Sequence, residues 1–259
     1  MPLIKIRDTE LFYSYEHFGH DDVLLFSNSL GTDHTMWEPQ IDMLSHHFNI
    51  LRYDTRGHGQ SGVAGGEYSV AQLGNDIVQI LDLLGIGKVH FCGISMGGLI
   101  GQWMGIYAPE RLSKMIISNT AAKIGTTTGW NDRINSVKAS GMDSIAEASS
   151  LRWFTPQFIS SNKPIVTSVI NVLRQTSVSG YTSCCAAIRD ADFSGDLYNI
   201  ELPVLVISGI HDTVTSEKDG IMLSKRLPQS RYVSVNAAHL SSIEAADEFS
   251  KLILFHTQH

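Results

Sequence analysis

The sequence predicts an α/β fold: a mostly parallel central sheet with helices on both faces and a helical cap inserted late in the core. Three observations carry that prediction. Short, nearly continuous runs of Val, Ile, Leu and Phe recur along the chain, as happens where helices cover both faces of a sheet. Amphipathic stretches of helical length separate them, and repeated strand–helix–strand units imply parallel pairing with right-handed crossovers. The alternation lapses between about residues 121 and 198 and then resumes, which marks an insertion.

In chain order, the strand runs are Val23 to Asn28, Phe48 to Asp54, Lys88 to Ile94, Lys114 to Thr120, Pro203 to Gly209 and Arg231 to Val235. The clearest helix follows the second run. Ser69 with Gln72 three residues on reads as a capping box, and Val70, Leu73, Ile77, Ile80, Leu81 and Leu84 recur at helical spacing before Gly85 stops the helix. An apolar stretch from Leu99 to Tyr107 supplies a second helix. Between residues 121 and 198, Gly141, Pro156, Pro164 and Gly180 punctuate helix-like stretches with no convincing strand among them. The division expected is therefore a core of residues 1–120 and 199–259 with a cap of residues 121–198. Helical insertions of this kind often sit as lids over active sites.

A chain of 259 residues can bury a core without disulfide or metal staples. Nineteen Lys and Arg against 26 Asp and Glu give a net charge of −7, which repels phosphate backbones and argues against a nucleic-acid partner. The cap departs from this balance. It carries seven Lys and Arg against six Asp and Glu, leaving twelve against twenty in the rest of the chain. No apolar run is long enough to span a bilayer, and the first residues lack a basic stretch leading into an apolar one. Cys92, Cys184 and Cys185 form no CxxC, and an odd count fits a reducing cytoplasm. The oligomeric state is not readable from these features. Neither HExxH nor a Walker loop is present, and Gly85-Ile86-Gly87-Lys88 runs into a strand rather than a helix, so neither a metal nor a cofactor is called for.

Chemistry concentrates in Gly93-Ile94-Ser95-Met96-Gly97, a G-x-S-x-G between a strand and a helix. A turn that tight needs small flanking residues, and it presents the Ser95 hydroxyl at a helix N-terminus where a developing anion is favoured. Serine is a weak nucleophile and needs a base that an acid holds in place. Asp212 lies just past the run Val204 to Ser208, and His239 just past Arg231 to Val235. Both fall at carboxyl ends of parallel strands, the edge where open α/β sheets place their sites. An Asp after a strand is often only a helix cap, and one His among eleven says little; three positions in the order nucleophile, acid, base say more. His211 precedes the acid in its own turn and is the poorer base. Asn119 ends the strand where a carboxylate would compete for the role of acid, but it is an amide. Two N–H groups are expected to face the developing oxyanion: that of Met96, and that of Leu30 in the loop Asn28-Ser29-Leu30-Gly31. The turn Tyr53 to Ser61 reads as structural.

These residues resemble the α/β-hydrolases, and in detail the bacterial 3-oxoadipate enol-lactonases of aromatic catabolism. The resemblance covers nearly the whole chain. Its core motifs are NSLGTD (28–33) with Met36-Trp37, YDTRGHGQS (53–61) and GISMGGLIGQW (93–103); beyond the core it rests on SNTAAKIG (118–125), WNDRI (130–134), RWFTP (152–156), CCAAIRDAD (184–192) and AAHLSSIE (237–244). Many hydrolases have His-Gly where this chain has Asn28-Ser29. The resemblance implies a triad of Ser95, Asp212 and His239, and hydrolysis of a small anionic enol-lactone in the β-ketoadipate pathway. A guanidinium in the cap would receive the substrate carboxylate. Arg133 is the first candidate and Arg152 the second, with Trp130 and Trp153 as apolar walls. A broader carboxylesterase, a C–C bond hydrolase and a perhydrolase would use the same triad. A haloalkane dehalogenase would need Asp in place of Ser95.

Overall fold

In a computed structural model, residues 2–259 are described and form an eight-stranded sheet with helices on both faces. The chain opens with a hairpin, β1 (Leu3–Ile6) and β2 (Thr9–Glu16). It continues through β3 (Val23–Ser27), α1 (Glu38–Leu44), β4 (Asn49–Tyr53), α2 (Val70–Leu83), β5 (Val89–Ile94), α3 (Met96–Tyr107) and β6 (Leu112–Ser118). Five helices follow with no strand among them: α4 (Thr127–Ser140), α5 (Asp143–Trp153), α6 (Pro156–Ser161), α7 (Lys163–Gln175) and α8 (Val178–Asp190). The chain ends with β7 (Val204–Gly209), α9 (Glu217–Arg226), β8 (Ser230–Val235), α10 (Ser241–Glu244) and α11 (Ala246–Gln258).

The sheet order is β1-β2-β4-β3-β5-β6-β7-β8. Strands β4 to β8 pair in parallel, while β2 joins β4, and β1 joins β2, in antiparallel fashion. The six parallel strands are the six apolar runs. Those in the middle of the sheet, β3, β4, β5 and β7, are buried at every residue, which is why they read as continuous rather than alternating. The hairpin carries no such run. Its turn is Arg7-Asp8 rather than a Gly- or Asn-bearing pair, and only Ile6, Leu11 and Phe12 of its two strands are buried.

Helix α2 begins where its cap predicts. The Ser69 side chain accepts the Gln72 N–H at 3.1 Å, although the reciprocal bond from the Gln72 side chain is not among those the described residues make. Val70, Leu73, Ile77, Ile80 and Leu81 form its buried face, and Gly85, at φ +68°, ends it. A turn of core and a helix of cap meet at two glycines. A Cβ on Gly180 of α8 would lie 2.3 Å from the Gly57 carbonyl oxygen, so only glycine permits that approach.

Register fixes the site. Ser27 is opposite Gly93, and both Ile94 and Ile207 are opposite Ser118, so β3, β5 and β6 finish within a residue of one another and β7 runs on to Gly209. The loops leaving them carry Leu30, Ser95, Asn119 and Asp212. His239 leaves β8, whose last residue pairs with Gly209. No helix among the described residues is long and apolar enough to cross a membrane.

Candidate active site

Ser95 occupies the junction of β5 and α3 at φ 56°, ψ −112°, a region that side-chain-bearing residues avoid. Three contacts hold it there. Its N–H donates to the Ser118 carbonyl at 2.9 Å, the Thr120 hydroxyl donates to its carbonyl at 2.9 Å, and Gly97 N–H donates to Asn28 O at 3.0 Å. The flanking glycines are required by space. A Cβ on Gly93 would sit 2.4 Å from the Gly97 carbonyl oxygen, and one on Gly97 2.1 Å from that of Ser27. The Ser95 hydroxyl makes no capping bond to α3, so it is free for other work.

Asp212 and His239 are a buried ion pair in waiting. His239 Nδ1–H donates to Asp212 Oδ2 at 2.8 Å, and the side chains are 2% and 0% exposed. Both carboxylate oxygens are saturated with donors. Oδ1 accepts the Val214 and Thr215 N–H groups at 2.7 and 3.1 Å; Oδ2 also accepts the Thr215 hydroxyl at 2.8 Å and Asn119 Nδ2 at 2.9 Å. Burial alone would push this carboxyl's pKa up. The charge and hydrogen bond of His239, with the Asn119 and Val214 donors, outweigh burial and hold it down at about 2. An anion so held fixes the imidazole tautomer, leaving Nε2 to take a proton.

Ser95 and His239 line one cavity of about 170 Å³. Among the described residues no hydrogen bond joins the serine hydroxyl to the ring; such contacts are often long in ligand-free enzymes and tighten when substrate binds. Leu30 lines the same cavity. The N–H groups of Leu30 and Met96 have no backbone acceptor among the described residues, so both remain available to an oxyanion. The Leu30 loop is braced from below. Trp37 Nε1 donates to Asn28 Oδ1 and Asn28 Nδ2 to Tyr53 O, each at 2.8 Å, and Gly31 N–H donates to His58 Nε2 at 3.0 Å. His58 can accept because burial lowers its pKa to about 4, against weaker opposing pulls from the Arg56 carbonyl and Asp54.

Helices α4 and α5 supply the other wall, and they bring Trp130, Arg133, Arg152 and Trp153 together on this cavity. Arg133 is half-buried, stacked 5.4 Å over Trp130, with Nη1 donating to the Tyr181 hydroxyl at 3.3 Å. Arg152 donates to Ser149 Oγ at 3.2 Å. Neither guanidinium has a carboxylate partner among the described residues. Burial lowers the pKa of Arg152, and the nearby Arg133 lowers it further, against a smaller pull from Tyr181. Two cations thus share a small enclosed space without a counter-ion, an arrangement that favours an anionic guest.

Sequence reasoning missed two parts of this site. Asn119 was weighed only as a failed acid, yet it donates to Asp212 Oδ2 and to Ala238 O at 3.2 Å. It sits at φ 45°, a conformation Asn tolerates better than other side-chain-bearing residues, and that angle is visible only in the fold. Tyr181, 1% exposed, sets the Arg133 guanidinium from within α8, and nothing in its helical surroundings singled it out.

Comparison with known proteins identifies the family. Residues 22–246 match the family of the α/β-hydrolase fold. The chain is 42% identical to 3-oxoadipate enol-lactonase 2 of Acinetobacter baylyi, over 98% of this chain and 97% of that protein. It is 41% identical to 3-oxoadipate enol-lactonase 1 of the same organism, over 88% and 86%. The crystal structure of the enol-lactonase from Burkholderia xenovorans superposes with a TM-score of 0.98 at 38% identity, over the full length of both chains.

Proposed function

The chain belongs to the α/β-hydrolase family, and from that premise we propose that it hydrolyses the enol-lactone of 3-oxoadipate to 3-oxoadipate in aromatic catabolism. Ser95 acts as nucleophile, His239 as general base and Asp212 as the acid that orients it. The observation that carries the reading is a pair of guanidiniums with no carboxylate partner among the described residues, Arg133 and Arg152, on the cavity that Ser95 and His239 also line. A neutral ester has no use for them. A small lactone bearing a carboxylate does, and the relatives at 41–42% identity carry that lactone in their names.

The steps follow from the geometry. The substrate carboxylate docks on Arg133, with Arg152 beside it, and the ring lies between Trp130 and Trp153. His239 Nε2 takes the Ser95 proton as Oγ attacks the lactone carbonyl, and the tetrahedral oxyanion is received by the N–H groups of Leu30 and Met96. Collapse breaks the ring C–O bond, the His239 imidazolium passes the proton taken from Ser95 to the departing enol oxygen and is neutral again, and the acyl group stays on Ser95. An enol leaves more readily than an alkoxide, so proton donation by His239 matters less at this step than in amide hydrolysis. His239 then deprotonates a water that attacks the acyl-enzyme. Cleavage frees Ser95 and a second carboxylate, and the enol tautomerises to the 3-oxo acid. Residues 121–198 serve as the substrate-selecting cap on a core of residues 1–120 and 199–259, and the reaction runs in the cytoplasm.

Ultraviolet loss of the enol-lactone on addition of protein tests the reading, run beside a neutral aryl ester. Lactone turnover well above ester turnover is expected. Ester cleavage with the lactone untouched would refute the substrate assignment.

A further inference from the structure

We infer that Glu244 is a positioning residue that locks the His239 loop to the cap wall carrying Arg152 and Trp153, so that the base and the substrate-binding wall are placed as one body. The inference rests on His239 being the base, as proposed above.

Glu244 ends α10, five residues beyond His239. Its Oε2 accepts the Ala238 N–H at 2.9 Å, one residue before the histidine. Both carboxylate oxygens lie 3.2 Å from the Thr155 N–H, and the Thr155 hydroxyl donates to Oε1. Thr155 in turn caps α6, two residues after Trp153 and three after Arg152. A second tie runs alongside: the Leu240 N–H, on the other side of His239, donates to the Trp153 carbonyl at 3.0 Å. Both neighbours of the histidine are therefore fastened, directly or through Glu244, to the α5–α6 corner. Ala238 is also held from the core, since its carbonyl accepts Asn119 Nδ2 at 3.2 Å.

Among the described residues no Lys or Arg pairs with Glu244. Its neighbours are donors from two separate parts of the chain. A carboxylate suits that place because both of its oxygens accept; glutamine would turn an N–H₂ toward one of the N–H groups. The bond count explains why His239 can be 2% exposed on a loop and still keep one orientation.

The test uses the intact enzyme with a neutral aryl ester and with the enol-lactone. Glu244→Ala is expected to lower kcat on the aryl ester about 10- to 100-fold, up to the penalty a displacement of about 1 Å imposes on a reacting group. It should also raise KM for the lactone several-fold. Thr155→Val removes only the hydroxyl on the cap side, so it should raise the lactone KM and leave ester kcat nearly unchanged, with Thr155→Ser restoring wild-type behaviour. Glu244→Gln keeps the volume and carries the same test if the alanine variant does not fold. An unchanged ester kcat in a folded Glu244 variant overturns the proposal, as does an equal fall in Thr155→Val. A wild-type enzyme that cleaves the ester but not the lactone overturns the substrate reading alone, because ester kcat still reports on His239.

Discussion

Replacing Arg133 and Arg152 with methionine, singly and together, separates recognition of the anion from the chemistry of the triad. Methionine keeps most of the apolar stem that packs against the cavity and removes the charge. A hydrogen bond to a charged group is worth about 1.5–3 kcal/mol, which is roughly 10- to 150-fold in kcat/KM. Arg133 should sit at the upper end, since Tyr181 and Trp130 already hold its guanidinium in place. Arg152 has only the bond to Ser149, at 3.2 Å, and should sit lower. The two losses should not add fully, because both cations face one carboxylate. Stability moves the other way. Arg152 is disfavoured first by burial and then by Arg133, so Arg152→Met should melt no lower than wild type. Steady-state kinetics on the lactone and on a neutral aryl ester, with thermal melts of each variant, make the comparison. Equal losses on both substrates, or a clear drop in Tm for Arg152→Met, would refute the reasoning.

Ser95→Ala should lower turnover at least ~10³-fold with the fold intact, whereas Ser95→Gly should also raise the urea midpoint, because it releases backbone strain of about 1–3 kcal/mol less the ~0.5–1 kcal/mol entropy of glycine. Stability should fall on acidification in two stages. His58, at about 4 in the fold against an ordinary 6.5, contributes fully above pH 6.5 and loses ~3 kcal/mol as pH drops through 4. Asp212, at about 2 against 3.8, then loses ~2 kcal/mol between about pH 4 and pH 2. Urea titrations across this range should show a shallower first stage in His58→Gln; an identical slope would remove His58 as its source. Gly180→Ala, which sets a methyl 2.3 Å from the Gly57 carbonyl, should destabilise by ~1–3 kcal/mol and lower kcat, since the displaced turn carries His58 and through it the Leu30 loop.

The parts of the fold that could be read from the chain are those where burial is complete. A central parallel strand is buried at every position and apolar at most of them, so it announces itself without reference to its neighbours. The β1–β2 hairpin does not, because its edge position leaves Leu3, Lys5 and Glu10 exposed and puts Tyr13, Tyr15 and Glu16 in half-buried settings. Its existence depends on β4 being there to pair with Tyr13 to Glu16, a contact about forty residues away that no local pattern encodes. The cap has the converse problem. Its helices show punctuation in Pro and Gly, but the face each turns to the cavity is set by packing against the core, as at the Gly57–Gly180 contact.

The same division runs through the site. The placement of Ser95, Asp212 and His239 at neighbouring strand ends is legible because each follows a strand run, and a parallel sheet delivers strand ends to one edge whatever the intervening length. What holds them is not, because positioning is done by residues whose chemistry is ordinary and whose partners are distant. Asn119 looks like a missing acid in one dimension. In three it is a donor that lies 2.9 Å from Asp212, where a second carboxylate would raise the proton affinity of the pair and weaken the orientation of His239. The amide is therefore required by the acid next to it, and Asn119→Asp should shift the acid limb of the kcat/KM profile upward in pH. An unshifted limb would mean that Asp212 keeps its charge without that donor.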